Sequence, residues 1–195
     1  MNLDGFALPV KKLKGTDPVE TLDLSGKNLG VASVVVIASL ISVNGALTRV
    51  DVRHNIIVGD GSGQLAAAVL GNLKIEMFNE IPIKKMRADS FTELDLKEKG
   101  VGVEGGMVVA GLIPVMAGLT RVDVRQNNIV GDGAARLAAA VLGNLKVDRF
   151  NEIPIKEMRA DWFTELDLKG KGVGVEGGMV VAGLLPVMGA LTEVR

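Results

Sequence analysis

The apolar positions of the chain follow a short recurring pattern, L-x-x-L-x-L, in which apolar fourth and sixth positions alternate with polar ones. This alternation predicts a short β-strand with one buried face. The long copies continue into a glycine-rich turn and an apolar stretch such as SVVVIASLI at 33–41, which predicts a helix. We therefore expect short parallel strands that alternate with helices. Copies of the pattern begin at Val19, Leu47, Phe78, Phe91, Leu119, Phe150, Phe163 and, in a cut-off form, Leu191.

The chain also repeats itself on a longer scale, as a 72-residue super-repeat. Residues 47–123 and 119–195 are identical at 61 of 77 aligned positions. Each super-repeat has two long steps and one short step, and the short steps, Phe78–Ser90 and Phe150–Trp162, are less than half as long as the others. We expect these two short repeats to lack a helix and to change the local curvature. The sequence predicts a single repeat domain over 1–195, with a degenerate N-terminal repeat at 1–18 and a truncated repeat at 191–195.

These features resemble the leucine-rich repeat family in its long, helix-containing form, the form of the ribonuclease-inhibitor and NOD-like-receptor repeats. The steps from Val19 to Leu47 and from Phe91 to Leu119 have the spacing of that family. The resemblance implies an α/β fold: a right-handed leucine-rich repeat solenoid bent into a horseshoe arc, with parallel strands on the concave face and helices on the convex face. It also implies a protein-binding scaffold, because stacked repeats offer an extended binding surface.

One position departs from the family pattern. The turn asparagine at position nine is present in two long copies, as Asn55 and Asn127. In the other long copies a lysine replaces it, at Lys27, Lys99 and Lys171. The turn backbone there needs another partner, and we expect either Asn28 or the glycines Gly100 and Gly172 to serve.

The bulk composition narrows the functional classes. The chain has no cysteine and one histidine, His54, which excludes thiolate and multi-histidine metal sites. His54 aligns with Gln126, so we expect a surface side chain. A net charge of −1 gives no general attraction to nucleic acid. The longest apolar stretches, Val31–Val43 and Gly105–Leu119, are shorter than the roughly 20 residues that span a bilayer. We expect no nucleic-acid partner, no metal, no transmembrane segment and a cytoplasmic location.

Two glycine motifs suggest nucleotide chemistry. GVGVEG at 100–105 and 172–177 matches a dinucleotide-binding fingerprint, with Asp123 about 20 residues further on as the acidic partner. The aligned segment NLGVAS at 28–33 lacks two of the three glycines, so we interpret the motif as turn architecture. VGDG at 58–61 and 130–133 lacks the Lys-Ser or Lys-Thr of a phosphate loop. We expect Asp60 and Asp132 to cap helices there, and we expect no cofactor.

The charged residues of the strands form the most informative surface. Aspartate recurs at position five and lysine or arginine at position seven, and residues two apart on a strand share a face. Paired carboxylates serve acid–base chemistry and divalent cations, but a cation beside each aspartate explains these rows without catalysis. We predict a non-enzymatic chain that binds a protein partner on this concave face; solubility alone is the other interpretation. The predicted binding residues are Arg49, Asp51, Arg53, Glu93, Asp95, Lys97, Arg121, Asp123, Arg125, Glu165, Asp167 and Lys169.

Two further surfaces support an alternative function. The stretch MVVAGLIPVMAGL at 107–119 carries no charge, and the pattern at Leu191–Arg195 stops without the polar cap that a solenoid end needs. The alternative is a structural subunit of a larger assembly, in contact through the apolar convex face or end to end at the C-terminal edge. Nucleotide binding or enzymatic activity is the third hypothesis.

Trp162, in place of Ser90, either belongs to a binding face or packs under the short loop. Pro114 and Pro186 should end their helices early.

Overall fold

The computed structural model describes residues 1–57 and 59–195. Val58, the first residue of the first VGDG motif, lies outside the described residues. Short strands alternate with helices along the chain, so the predicted α/β class is confirmed. The strands are β1 (Asn2–Leu3), β2 (Phe6–Ala7), β3 (Thr21–Asp23), β4 (Arg49–Asp51), β5 (Met77–Phe78), β6 (Glu93–Asp95), β7 (Arg121–Asp123), β8 (Arg149–Phe150), β9 (Glu165–Leu166) and β10 (Glu193–Val194). The helices are α1 (Val10–Leu13), α2 (Val31–Ile41), α3 (Asp60–Gly71), α4 (Ile83–Arg87), α5 (Gly102–Leu112), α6 (Gly131–Gly143), α7 (Ile155–Arg159) and α8 (Gly174–Leu184), with 3₁₀ turns at Ile113–Val115 and Leu185–Val187.

Within the described residues, the strands form three small parallel sheets and one antiparallel hairpin, and none of them closes into a barrel. The first sheet has the order β3-β4-β5, the second β6-β7-β8 and the third β9-β10, while β1 pairs with β2. Neighbouring strands are in register at the spacing of one long step, which places Leu22 beside Val50 and Leu94 beside Val122. These central side chains are buried, and the residues on either side of them face the opposite way.

The long helices stack on one another in chain order. α2 packs on α3, α3 on α5, α5 on α6 and α6 on α8. Glycine permits this close approach, because a Cβ at Gly111 would lie 2.6 Å from Leu70 Cδ1 and a Cβ at Gly106 2.6 Å from Ile129 Cγ2. Most side chains of α5 are buried. The apolar sequence of this helix after its first turn therefore reflects its position between two other helices.

The short steps differ from the prediction in two ways. Each contains a five-residue helix, α4 or α7, so the expectation of helix-less repeats is wrong. The register is also shifted, because Phe78 pairs with Val50 and so occupies the fourth position of the pattern, not the first. Ile75 takes the first position and is fully buried. Asn79 and Glu80 then adopt positive φ angles of 47° and 66°, which turn the chain out of the strand and leave enough residues for the helix.

The helix ends follow the sequence in part. Pro114 and Pro186 end α5 and α8 early, as predicted, since each helix stops two residues before its proline and gives way to a 3₁₀ turn. Asp60 and Asp132 lie in the first turns of α3 and α6, but in the described part of the chain neither helix has a side-chain cap. The capping prediction is therefore wrong. Earlier residues hold the N-cap positions, so these carboxylates act only through the helix dipole.

An arginine from each short step binds the C-terminal end of the preceding long helix. The Arg87 guanidinium donates hydrogen bonds to the carbonyl oxygens of Leu70 and Ile75, both at 2.9 Å. Arg159 makes the equivalent bonds at the end of α6. Burial lowers the pKa of both guanidinium groups. A cation thus satisfies carbonyl groups that the end of a helix leaves without partners.

We expect Arg87→Met to lower the free energy of unfolding by about 2 kcal/mol, because it removes the donors to these carbonyls but keeps an aliphatic side chain. Urea unfolding followed by circular dichroism measures the change. Lys85→Met, at an exposed position of the same helix, is the matched control and should change stability by less than about 0.5 kcal/mol. Equal midpoints for the two variants would contradict the capping role of Arg87.

The segment before β3 is built like the short steps. Pro9 precedes α1 as Pro82 precedes α4, with similar φ angles of −76° and −81°. The N–H of Leu13 donates to the carbonyl of Pro9 at 3.0 Å, and the N–H of Met86 donates to that of Pro82 at the same distance. A short turn of helix after a proline therefore lies before the first strand of the first two sheets.

Candidate binding surface

The twelve predicted residues lie on four strands or directly after them. They are Arg49, Asp51 and Arg53 at β4, Glu93, Asp95 and Lys97 at β6, Arg121, Asp123 and Arg125 at β7, and Glu165, Asp167 and Lys169 at β9. In the second sheet the register places Glu93 beside Arg121 and Asp95 beside Asp123. β4 and β9 belong to other sheets. Strand pairing thus joins the six residues of β6 and β7 into one surface and leaves the other six on separate sheets.

Two arginines of this surface are held by the aspartates two residues before them. Arg53 donates from Nε and Nη2 to the two carboxylate oxygens of Asp51, at 3.0 and 2.6 Å. Arg125 binds Asp123 in the same way, at 2.9 and 2.5 Å. Burial disfavours the charge on Asp123, yet the bonds and charge of Arg125 keep the pKa of Asp123 below its ordinary value. These bidentate pairs fix both side chains in one orientation and offset their charges.

The two lysines do not repeat this arrangement. The backbone N–H of Lys97 donates to Asp95 Oδ1 at 3.0 Å, and that of Lys169 to Asp167 Oδ1 at 2.9 Å. A carboxylate that accepts the N–H two residues further on closes a local turn. The expected pairing of each aspartate with the cation of its own strand is therefore wrong at the lysine positions. No ion pair among the described residues includes Asp95, Asp167 or Glu93, so β6 and β9 carry exposed carboxylates.

A glutamate of the second short step gathers three arginines beside β7 and β8. Glu152 accepts a hydrogen bond from Arg121 at 2.9 Å and lies 3.4 Å from Arg125 and 3.7 Å from Arg149. The predicted set omits Arg149, because the predicted register of the short step is three residues out. The register of β7 with β8, which pairs Arg121 with Arg149, is the signal that places it on this surface. Met77 stands at the same position in the first sheet, so this positive charge is present in the second sheet only.

Each of the first two sheets has a shallow cleft over its first and second strands, and in the first sheet the cleft extends to Met77 of β5. The cleft in the second sheet has a volume of about 220 Å³ and is lined by Glu93, Leu94, Asp95, Arg121 and Asp123. The equivalent cleft in the first sheet, about 180 Å³, includes Asp23, Arg49 and Asp51 in its lining. A row of carboxylates beside one arginine is thus presented twice, at equivalent positions of the repeat.

Asparagines of the following repeat hold the turns that carry lysine. Asn55 Oδ1 accepts the N–H of Lys27 at 2.9 Å, and Asn127 Oδ1 accepts the N–H of Val101 at 3.0 Å. This corrects the expectation that Asn28 or a glycine takes that role. The asparagine at position nine serves its own turn and the turn before it, which is why alternate long copies can do without it.

The GVGVEG turn at 100–105 is engaged by the protein itself. The N–H of Gly102 donates to the carbonyl of Asn127 at 3.1 Å. The Glu104 carboxylate packs over the turn, where a Cβ at Gly102 would lie 2.9 Å from its Oε1. Glu104 is only 5% exposed. The Glu104 side chain occupies the space beside the turn that a phosphate at the helix N-terminus needs, which favours the interpretation of the motif as turn architecture.

Glu104 is one of the buried polar residues that the predictions miss. Its signal in the sequence is a lone carboxylate in the first turn of an otherwise uncharged helix. The residue lines a cavity of about 430 Å³ together with Arg53, His54, Gly100 and Gln126. His54 itself is exposed, as predicted.

Trp162 is 70% exposed, so the interpretation that it packs under the short loop is wrong. It follows α7, and its backbone N–H donates to the carbonyl of Glu157 at 3.2 Å. Trp162 precedes β9 in the chain and does not line either of the clefts described above.

No protein-family model matches the sequence, and a search of curated proteins finds no match either. Among the helices of the described residues, none combines the length and the apolar character needed to cross a membrane.

Proposed function

We propose that the chain is a leucine-rich repeat solenoid and that it serves as a non-catalytic, protein-binding scaffold through its charged strand face. The regular strand register within the sheets and the ordered stack of long helices support the solenoid. The asparagines at position nine, each bonded to the turn before it, support membership of the leucine-rich repeat class. A right-handed arc with the strands on its concave face follows from that class.

The observation that carries the binding function is the fixed pattern of charge on the strand face. Arg53 and Arg125 are held rigidly by their aspartates, while Asp95 and Asp167 remain exposed nearby. Because these charged side chains are already fixed, little conformational entropy is lost when a partner binds. The pattern of positive and negative charges favours partners that carry the complementary pattern. The clefts beside β6 and β3 offer places for single side chains of such a partner.

The test is a matched pair of double charge reversals. Lys97→Glu with Lys169→Glu changes exposed lysines at equivalent positions of the strand face. Lys74→Glu with Lys146→Glu changes exposed lysines at equivalent positions before β5 and β8. Arg53 and Arg125 are left intact, because reversing them breaks short, partly buried ion pairs, whereas the ion pair of Lys97 with Glu98 is exposed. Partners captured by the wild-type chain from source lysate are purified, and their affinity for each variant is measured by calorimetry.

We expect the strand-face variant to bind the partner at least about tenfold more weakly, because a reversed charge places like charges together, and the control variant to bind as wild type. Equal affinity of the two variants would refute binding through the strand face.

A structural subunit remains the second candidate, and a row of exposed apolar side chains favours it. These residues follow the ends of successive long helices: Val43, Leu73, Val115, Leu145 and Val187. Because the helices are stacked in order, their ends lie along one edge. Unchanged binding by the strand-face variant, together with self-association in sedimentation that Leu73→Lys and Leu145→Lys abolish, would favour this candidate.

A further inference from the structure

The junction between the first and second sheets is held by side chains in place of strand pairing. β5 and β6 lie in different sheets. Asn79 is fully buried, and its Oδ1 accepts a hydrogen bond from the N–H of Val52 at 2.9 Å. This side-chain oxygen takes the role that a backbone carbonyl of the next strand has in a continuous sheet. Its amide nitrogen donates to Glu104 Oε1 at 3.0 Å and to the carbonyl of Val101 at 3.4 Å. A single amide therefore connects the end of β4 to the start of α5.

The second super-repeat has the same junction. Asn151 accepts the N–H of Val124 at 2.8 Å and donates to Glu176 Oε1, also at 2.8 Å. Asn151 is fully buried, and Glu176 is nearly so. The amide–carboxyl pair is thus a regular element of the super-repeat.

The carboxyl group of each pair lacks a cation. None of the ion pairs within residues 1–57 and 59–195 includes Glu104 or Glu176. Arg53 lines the cavity beside Glu104 but is bound to Asp51 and lies 3.3 Å from Glu80. Burial raises the pKa of Glu104 to about 7 and also raises the pKa of Glu176. In both cases burial outweighs the hydrogen bonds from the backbone and from the asparagine, which lower the pKa.

The other charged groups around Glu104 do not compensate for its burial. They are His54 and Glu98 on the cavity wall, Lys99 in the turn, Asp60 and Asp132 in the first turns of the flanking helices, and Lys84, Lys85 and Arg87 on α4. Lys84 pairs with Glu76, and Arg87 binds the carbonyls at the end of α3. Lys85 is exposed. The positive groups of α4 are therefore engaged elsewhere or face solvent.

We propose that each junction is a proton-controlled clamp: with its glutamate neutral the amide–carboxyl pair holds neighbouring sheets together, and loss of the proton leaves a buried charge without a cation, which loosens the junction. At Glu104 the adjacent cavity gives the proton a path to solvent. The clamp sets how firmly the sheets that carry the strand face are joined. It is independent of the proposed binding function, since it concerns the packing of this chain alone.

The start of α2 provides an internal contrast. Ala32 stands at the position of Glu104, and the carboxylate comes from Asp4 in the turn between β1 and β2. Asp4 is exposed and accepts the N–H groups of Ser33 and Gly30, both at 3.0 Å. Hydrogen bonds from Ser33, then from Gly30, lower the pKa of Asp4. The folded chain favours the charged form of Asp4, so protonation of Asp4 at low pH lowers the stability. For Glu104 the stability falls as the pH rises.

Amide hydrogen exchange tests the clamp in the full chain. The N–H of Val52 reports the junction, and the N–H of Leu24, bonded to Asp51 O at 2.8 Å within the first sheet, is the reference. The pKa of Glu104 is about 7 in the folded chain, and its ordinary value is 4.5. The contribution of the neutral Glu104 to stability is therefore fully present below pH 4.5 and is lost as the pH rises to 7. The protection factor of Val52 should fall by up to about tenfold per pH unit over this window and level off above it, while that of Leu24 stays constant.

Glu104→Gln supplies the control, because the amide still accepts the bond from Asn79 and never ionises. In this variant the protection of Val52 should not change with pH, and in Asp4→Asn it should change as in wild type. NMR titration of the Glu104 carboxyl carbon in the wild-type chain should show a midpoint near 7. A midpoint near 4.5, equal losses at Val52 and Leu24, or the same profile in Glu104→Gln would each overturn the clamp. If Glu104→Gln does not fold, the titration decides alone.

Discussion

Leu94→Asp is expected to lower the free energy of unfolding by more than about 4 kcal/mol and to leave the second sheet unfolded at room temperature. Leu94 is 2% exposed at the centre of β6, where its register partner is Val122. The outward positions of the strand belong to Glu93 and Asp95. Leu94 belongs to the hydrophobic core cluster, so an aspartate at this inward position buries its charge without a partner.

Chemical unfolding, followed by circular dichroism and by amide exchange in the second sheet, measures this loss. Thr92→Asp introduces the same charge two residues earlier at an exposed position and should stay within about 0.5 kcal/mol of wild type. If Leu94→Asp melts like Thr92→Asp, the register of β6 is wrong. The measurement tests the assignment of strand faces, on which the charged surface depends.

The parts of the fold that sequence predicts are those that a local period determines. Alternation around Leu22 and Leu94 identifies strands because one face of a strand must be buried. The prolines Pro114 and Pro186 mark helix ends, because a proline lacks the N–H that continues a helix. These features need only the nearest neighbours in the chain.

The short steps escape such reasoning, because competing local patterns fit the same residues. Phe78, Ile81 and Ile83 match the strand pattern as well as Ile75 and Phe78 do, and the pairing of β5 with β4 decides between them. Asn79 and Glu80, with their positive φ angles, then turn the chain sharply. The strand of the short step ends three residues earlier than the pattern from Phe78 predicts. Those residues are available for α4, although the short spacing between the two sequence patterns suggests that no helix fits.

The candidate surface was predictable in position but not in its pairing. Alternation places Asp95 and Asp123 on one face, yet only Asp123 receives a bidentate arginine. Lysine, with a flexible stem and a single ammonium group, does not bind the neighbouring carboxylate as the planar guanidinium does. The Asn79–Glu104 bond joins residues 25 apart across two elements, so no local pattern reveals it.

Asn79→Ala is the second change with a large expected effect, about 4 kcal/mol lost from the free energy of unfolding. It leaves the Val52 N–H without a partner and removes the side-chain hydrogen bond to the buried Glu104 carboxyl. Asn79 also has a φ of 47°, which alanine tolerates poorly. Asn128→Ala is the matched control, since Asn128 has a φ of 52° but an exposed side chain. Urea unfolding of both variants separates the two contributions.

The loss in Asn128→Ala should be near 1 kcal/mol, the approximate cost of the backbone conformation alone. The excess in Asn79→Ala then measures the junction. Asn151→Ala tests the same contact in the second super-repeat, and the two losses should add, because the junctions share no side chains. Equal losses for Asn79→Ala and Asn128→Ala would mean that the Asn79 amide does not hold the junction. A clear excess would place the connection between neighbouring sheets in one buried amide, because the strands do not pair across the break.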